Sequence, residues 1–246
     1  MYNVLYCIVL YSIVLCSNVK YIQVLYWDVR GGCDPVGMIK LSESHSEPVF
    51  NTVWTASKTN SEIMTASCDG IVRWWDTRNF NTAVHTVDLQ AGNNTKGRMG
   101  PCSPSTLEYE ATIPARYMVG TEQGKVLCCD RKAKDNAEVI LSTYEGHWGP
   151  IRALQRNPCF PKNFLTVGDW SMKIWSDDVI GSPLFWVWSG QEIITAASWS
   201  PARPSVIFAT RLDGFLMVSM IIPALVNTGL IRYWMFCTSK MVLYWR

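Results

Sequence analysis

GHWGPIRALQRNPCFPKNFLTVGDWSMKIWS, residues 146–176, decides the fold. It opens on Gly-His, passes through two short strand-like segments, turns at Asp169 and closes on Trp175. Much of the chain between Tyr26 and Val218 is a variation on that plan, so internal repetition is the first thing to measure.

The Asp that stands six residues before a Trp-Asp-like ending marks each copy. Asp69 precedes Trp75-Asp76, Gln123 precedes Cys129-Asp130, and Asp169 precedes Trp175-Ser176. Asp213 leads instead to Ser219, while Tyr26-Trp27-Asp28 is an ending without its Asp. Successive marks lie 54, 46 and 44 residues apart. A period of roughly 40–45 residues with Gly-His and Trp-Asp marks is the WD-repeat signature, one four-stranded blade per repeat. A second column places Trp54, Leu154 and Trp199 at one position of an inner strand. Asn157-Pro158 and Ser200-Pro201 punctuate the ends of such strands, because Pro cannot donate to a sheet ladder. Phe164–Val167 and Val206–Ala209 are largely apolar runs, as central strands covered on both faces require. Asp-Gly at 69–70 and 213–214 and Gln-Gly at 123–124 suit tight turns.

The fold class expected is all-β: a WD40 β-propeller, incomplete, with about four recognisable blades plus a fragment. Residues 22–218 hold the blades, with an insertion loop near 90–104 rich in Gly, Asn, Ser and Pro. Residues 1–21, an apolar N-terminal segment, and 219–246, a C-terminal tail, lack the repeat marks and stand apart from the blades.

Composition narrows the function classes. The 246 residues are 48% hydrophobic and carry a net charge of +2, with no dense Lys/Arg run of the kind a nucleic-acid binder shows. Nine Cys are scattered without a C-x-x-C pair and only three His are present, so a zinc site is not expected. Reduced thiols in a cytosolic protein are the simpler reading. The apolar run Val4–Leu15 is shorter than the ~20 residues of a membrane helix. It also lacks the basic start of a signal peptide. Asn93-Asn94-Thr95 is a glycosylation sequon that matters only outside the cytosol.

His, Asp and hydroxyl residues invite a search for catalysis. No G-x-S-x-G, Walker or G-x-G-x-x-G sequence occurs, so neither a catalytic nor a cofactor-binding residue is assigned. His-to-Asp spacing recurs, 24 residues from His45 to Asp69 and 22 from His147 to Asp169, as a scaffold would have it. The expected role is a blade-internal hydrogen-bond network of His45, Asp69 and Trp75, with Ser67 as its hydroxyl member. A second network joins His147, Asp169 and Trp175, where Val167 leaves the hydroxyl column empty. Cys129 takes a Trp column beside Cys128 and is expected to be a small buried hydrophobe.

Four segments go beyond a generic repeat: EPVFNTVWTASKTNSEIMTASCDGIVRWWDTR (47–78), ARYMVGTEQGKVLCCDRKAK (115–134), residues 146–176 and ASWSPARPSVIFATRLDGFL (197–216). They resemble dynein intermediate chains, those of the axonemal outer arm above all. The resemblance implies a non-catalytic scaffold subunit in the cytoplasm and the ciliary or flagellar axoneme. Such a subunit joins a dynein heavy chain to another intermediate chain, with light chains as further partners and an indirect association with microtubules. It implies no cofactor, nucleic acid or membrane partner, and it supplies no partner-contacting residue. The basic run Arg131-Lys132-Ala133-Lys134 is a solvated turn or a contact for an acidic partner such as tubulin. A free cytosolic WD40 peptide-binding adaptor is the alternative function. A seven-bladed ring needs roughly 280–315 residues, so a truncated form, or a reading frame whose ends run into non-coding sequence, is expected. Exposed blade edges would make such a chain poorly soluble.

Overall fold

A computed structural model describes residues 7–13, 22–28, 34–40, 42–55, 61–90, 102–109, 112, 115–133, 138–224 and 232–242. The sequon, residues 91–101 of the 90–104 loop and Lys134 fall outside these residues.

The fold is all-β, built of antiparallel sheets in sequence order. Strands β1 (Cys7–Ile13), β2 (Ile22–Asp28) and β3 (Gly37–Met38) make a three-stranded sheet. Next come β4 (Val49–Trp54), β5 (Glu62–Ser67), β6 (Ile71–Asp76) and β7 (His85–Asp88), a four-stranded meander. A second meander comprises β8 (Pro104–Tyr109), β9 (Arg116–Thr121), β10 (Lys125–Asp130) and β11 (Ile140–Glu145). A third comprises β12 (Ile151–Arg156), β13 (Asn163–Gly168), β14 (Ser171–Ser176) and β15 (Phe185–Trp188). The last comprises β16 (Ile194–Trp199), β17 (Val206–Arg211), β18 (Phe215–Ala224) and β19 (Arg232–Val242). These four-stranded meanders are WD40 blades. Strand β1 lies in the segment set apart as 1–21, and β18 and β19 reach into 219–246.

Two compact units form. One is Met1–Tyr117 with Cys129–Leu141, the other Met118–Cys128 with Ser142–Arg246.

Turn chemistry explains the meanders. Gly70, Gly124 and Gly214 have φ of +82°, +80° and +83° at the β5–β6, β9–β10 and β17–β18 turns, a region nearly free of cost only for glycine. The β13–β14 turn is shorter: Gly168 pairs with Ser171, and Asp169 itself takes φ 56°. The repeat-defining stretch is therefore one residue tighter here than in the first meander.

That difference, together with a β12–β13 connection one residue shorter than the β4–β5 connection, shifts the columns counted from Asp. Thr52 pairs with Thr65 and Trp54 with Ile63, whereas Leu154 pairs with Thr166. Leu154 is thus the counterpart of Thr52, two residues from the place expected of it. Arg156 stands where Trp54 does, opposite Phe164. Trp199, opposite Ile207, keeps the Trp54 position.

Central strands are dry. In the first unit Val24, Ile39, Val49, Ile63, Trp75 and Phe80 form one cluster. In the second, Tyr144, Phe164 and Trp175 interlock within a cluster that includes Met118, Val126 and Leu154. Tyr144 meets Phe164 and Trp175 edge-on at 5.1 and 5.6 Å, and Phe164 stacks on Trp175 at 6.3 Å and 11°. A buried Trp withdraws roughly 150–250 Å² from water, about 4–6 kcal/mol of gross hydrophobic stabilisation. Cys129 is fully buried in β10, and Cys128 is buried beside it. At the Ser219 position a small hydroxyl is buried without a hydrogen-bond partner among the described residues.

Candidate functional site

Each of the first and third meanders holds one polar cluster against a buried Trp. In the first, His45 precedes β4, the β5–β6 turn carries Asp69, and β6 carries Trp75. His45 Nδ1 lies 2.9 Å from Asp69 Oδ2, and its Nε2 lies 2.9 Å from Thr65 Oγ1. Trp75 Nε1 donates to the same Thr65 oxygen at 3.0 Å. Donor counting orders the chain. Asp69 as a carboxylate only accepts, so His45 Nδ1 donates, Nε2 accepts the Thr65 hydroxyl, and that oxygen accepts the indole N–H. Asp69 also accepts from the Ile71 and Ser46 N–H groups at 2.9 and 3.3 Å. Burial pushes its carboxyl up, but the hydrogen bond from His45 and those from the two N–H groups outweigh it, and the net shift is downward.

The hydroxyl member is therefore Thr65 and not Ser67. Strand alternation puts both on one face. Ser67 sits at the strand's end, where its Oγ donates to the Glu47 carbonyl at 2.8 Å and accepts from the Asp69 N–H at 3.3 Å. It tethers the turn and does not reach the imidazole.

The third meander holds the same elements in looser form. His147 Nε2 lies 2.9 Å from Thr166 Oγ1, and Trp175 Nε1 donates to that oxygen at 2.9 Å. The column read as empty at Val167 is filled one residue earlier. With one residue fewer in the turn, Asp169 stops 3.9 Å from His147 Nδ1. It instead accepts the Trp148 N–H at 2.7 Å. Nδ1 finds Ser171 Oγ at 3.4 Å, and a backbone hydrogen bond joins His147 to Gly168. Burial first, then the nearby Lys173 charge, hold the His147 pKa down to about 4, against an upward pull from Asp169. Lys173 is itself lowered by burial and donates to the Gly146 carbonyl.

Glycines shape this second cluster. A Cβ on Gly146 would stand 2.3 Å from Trp175 Cζ2, and one on Gly168 would stand 2.8 Å from His147 Cγ. The Gly of Gly-His thus makes room for the indole that its neighbouring His reaches through Thr166.

Both clusters are buried: His45 is 2% exposed, His147 8%, and Thr65 and Thr166 are fully covered. Each imidazole nitrogen has a hydrogen-bonding partner within its own meander. Among the described residues no group of three His, Cys, Asp or Glu side chains is placed to hold a metal. No helix of the described residues is long and apolar enough to cross a membrane.

Reading the sequence did not separate buried Trp from exposed Trp. Trp148, Trp170, Trp186 and Trp188 are 98%, 47%, 57% and 65% exposed. Trp186 and Trp188 alternate with Phe185 and Val187 along the edge strand β15, a period-two pattern that marks one face as solvated.

Comparison with known proteins agrees with the architecture. Residues 91–223 match the family described as the dynein axonemal intermediate chain 3 WD40 domain. Human dynein axonemal intermediate chain 2 is 47% identical over 79% of this chain and 32% of its own length. The ciliary dynein intermediate chain 3 of Heliocidaris crassispina is 47% identical over 80% of this chain and 33% of its own. The 70 kDa flagellar outer-arm intermediate chain of Chlamydomonas reinhardtii is 39% identical over 80% and 34%. The chain spans about a third of the length of these curated relatives. With blades of four antiparallel strands, a Thr-centred His–Trp bond in two of them and this extent of identity, the chain belongs to the WD-repeat family of dynein axonemal intermediate chains.

Proposed function

We propose that this chain is a non-catalytic WD-repeat scaffold segment of axonemal outer-arm dynein. It links a heavy chain to a partner intermediate chain, with light chains as further partners, and meets doublet microtubules only through the assembled arm. Its place is the axoneme of cilia and flagella. ATP hydrolysis belongs to the heavy chain. The observation that carries this reading is the 39–47% identity with ciliary and flagellar intermediate chains over about four fifths of the chain. The buried clusters support it: His45, Asp69 and Trp75, and His147, Asp169 and Trp175, serve as internal fastenings of two blades, each through its Thr. A general base must face a substrate, and these imidazoles face hydroxyls inside their own sheets.

High-salt extraction of axonemes from ciliated cells expressing the tagged chain tests the reading. Co-sedimentation with heavy chains on a sucrose gradient is the expected result. Slow sedimentation free of any heavy chain would support the cytosolic adaptor instead.

A further inference from the structure

Within the first unit, a notch of about 400 Å³ opens beside the β6–β7 edge, lined by Val84, His85, Ala115, Arg131 and Lys132. Its walls are pinned by backbone bonds: Val84 N–H donates to Trp74 O and Arg131 N–H to Ala115 O, both at 2.8 Å. Among the described residues no carboxylate lines it. Arg131 is held from two sides. One N–H bonds Glu62 Oε2 at 2.8 Å, and the guanidinium lies 5.3 Å from the Trp74 ring centroid. Its side chain stays 27% exposed, so the cation still borders the notch. Lys132 is exposed at the rim. On the same turn the Asp130 carboxylate accepts the Lys132 backbone N–H at 2.8 Å. The His85 ring packs on Trp74 at 5.2 Å, and burial first, then the Arg131 charge, lower its pKa.

We propose that this notch is a binding site for an acidic side chain of a partner polypeptide. A Glu fits the chemistry: its methylenes lie on Val84 and Ala115, and its carboxylate meets the Lys132 ammonium and the outer edge of the Arg131 guanidinium. Arg131 is pre-positioned by Glu62 and Trp74, so little ordering is lost on binding. The site gives Arg131 and Lys132 a pocket as well as a charge. It stands independently of the dynein reading, since any acidic segment satisfies it.

The test is fluorescence anisotropy with the full chain and a fluorescein-labelled hexaglutamate peptide, with hexaglutamine as control. Hexaglutamate should bind and hexaglutamine should not. Lys132→Glu should weaken hexaglutamate binding roughly tenfold or more. Lys162→Glu, an equal charge change at a lysine that pairs with Asp178, should alter it less than about twofold. The His85 ring resonances should shift on peptide addition. Equal losses in the two Lys variants, or an unmoved His85, would overturn the site. Displacement of the peptide by inorganic phosphate at equal charge concentration would overturn the assignment to a carboxylate.

Discussion

Thr166→Val removes one oxygen and leaves a β-branched side chain of nearly the same shape. That oxygen is the common partner of His147 Nε2 and Trp175 Nε1, each at 2.9 Å, in a position with no solvent exposure. Both ring nitrogens are then buried without a partner. An unsatisfied buried polar group costs about 1–3 kcal/mol, so the pair comes to about 3 kcal/mol. At about 2–4 °C per kcal/mol for a chain of this size, the melting temperature should fall by roughly 6–12 °C. Circular dichroism at 218 nm during heating reads it. Ser67→Ala is the comparison, since it loses one bond to the Glu47 carbonyl and a weak acceptor for the Asp69 N–H. It should cost only about 1 kcal/mol. A Thr166→Val chain that melts within 2 °C of the parent would refute the claim that this hydroxyl fastens the blade.

Gly124→Ala should prevent soluble expression, because φ is +80° and the new Cβ would stand 2.1 Å from the His147 carbonyl oxygen. Gly214→Ala has the same sign of φ but open space around it, so it should cost only about 1–2 kcal/mol in chemical denaturation. His147 has a folded pKa of about 4 against an ordinary 6.5, so the unfolded chain takes up its proton first. Its contribution is fully present above about pH 6.5 and is lost as pH falls toward 4, at most about 3 kcal/mol in all. The imidazole resonances of His147 should accordingly remain those of the neutral ring at pH 5.5. Cys102 is buried, its thiol pushed up to about 12 by burial and then Asp88. Exposed Cys159 should therefore react with iodoacetamide in the native chain while Cys102, Cys128 and Cys129 wait for unfolding.

Period and punctuation were legible in the sequence because they rest on local chemistry. The positive-φ glycines of Asp-Gly and Gln-Gly and the stop at Asn157-Pro158 stand where the strands turn or end. What failed was column counting through a turn of variable length. Six residues separate Asp from Trp in both networks, yet Thr-to-Trp is ten residues in one and nine in the other. Counting from Asp therefore chose Ser67 and Val167 where pairing across the sheet chooses Thr65 and Thr166. The Arg131 notch was legible only as a basic run, since Glu62 and Trp74 come to it from strands far away in sequence. Exposure of the β15 Trp residues followed a two-residue alternation too short to stand out against a Trp-rich background.

The most direct measurement is a pull-down from solubilised outer-arm proteins with the tagged full chain as bait, read by mass spectrometry. The account predicts recovery of a dynein heavy chain and a second intermediate chain, with Thr166→Val reducing recovery only in proportion to its unfolded fraction. A well-folded bait that captures neither protein would contradict it.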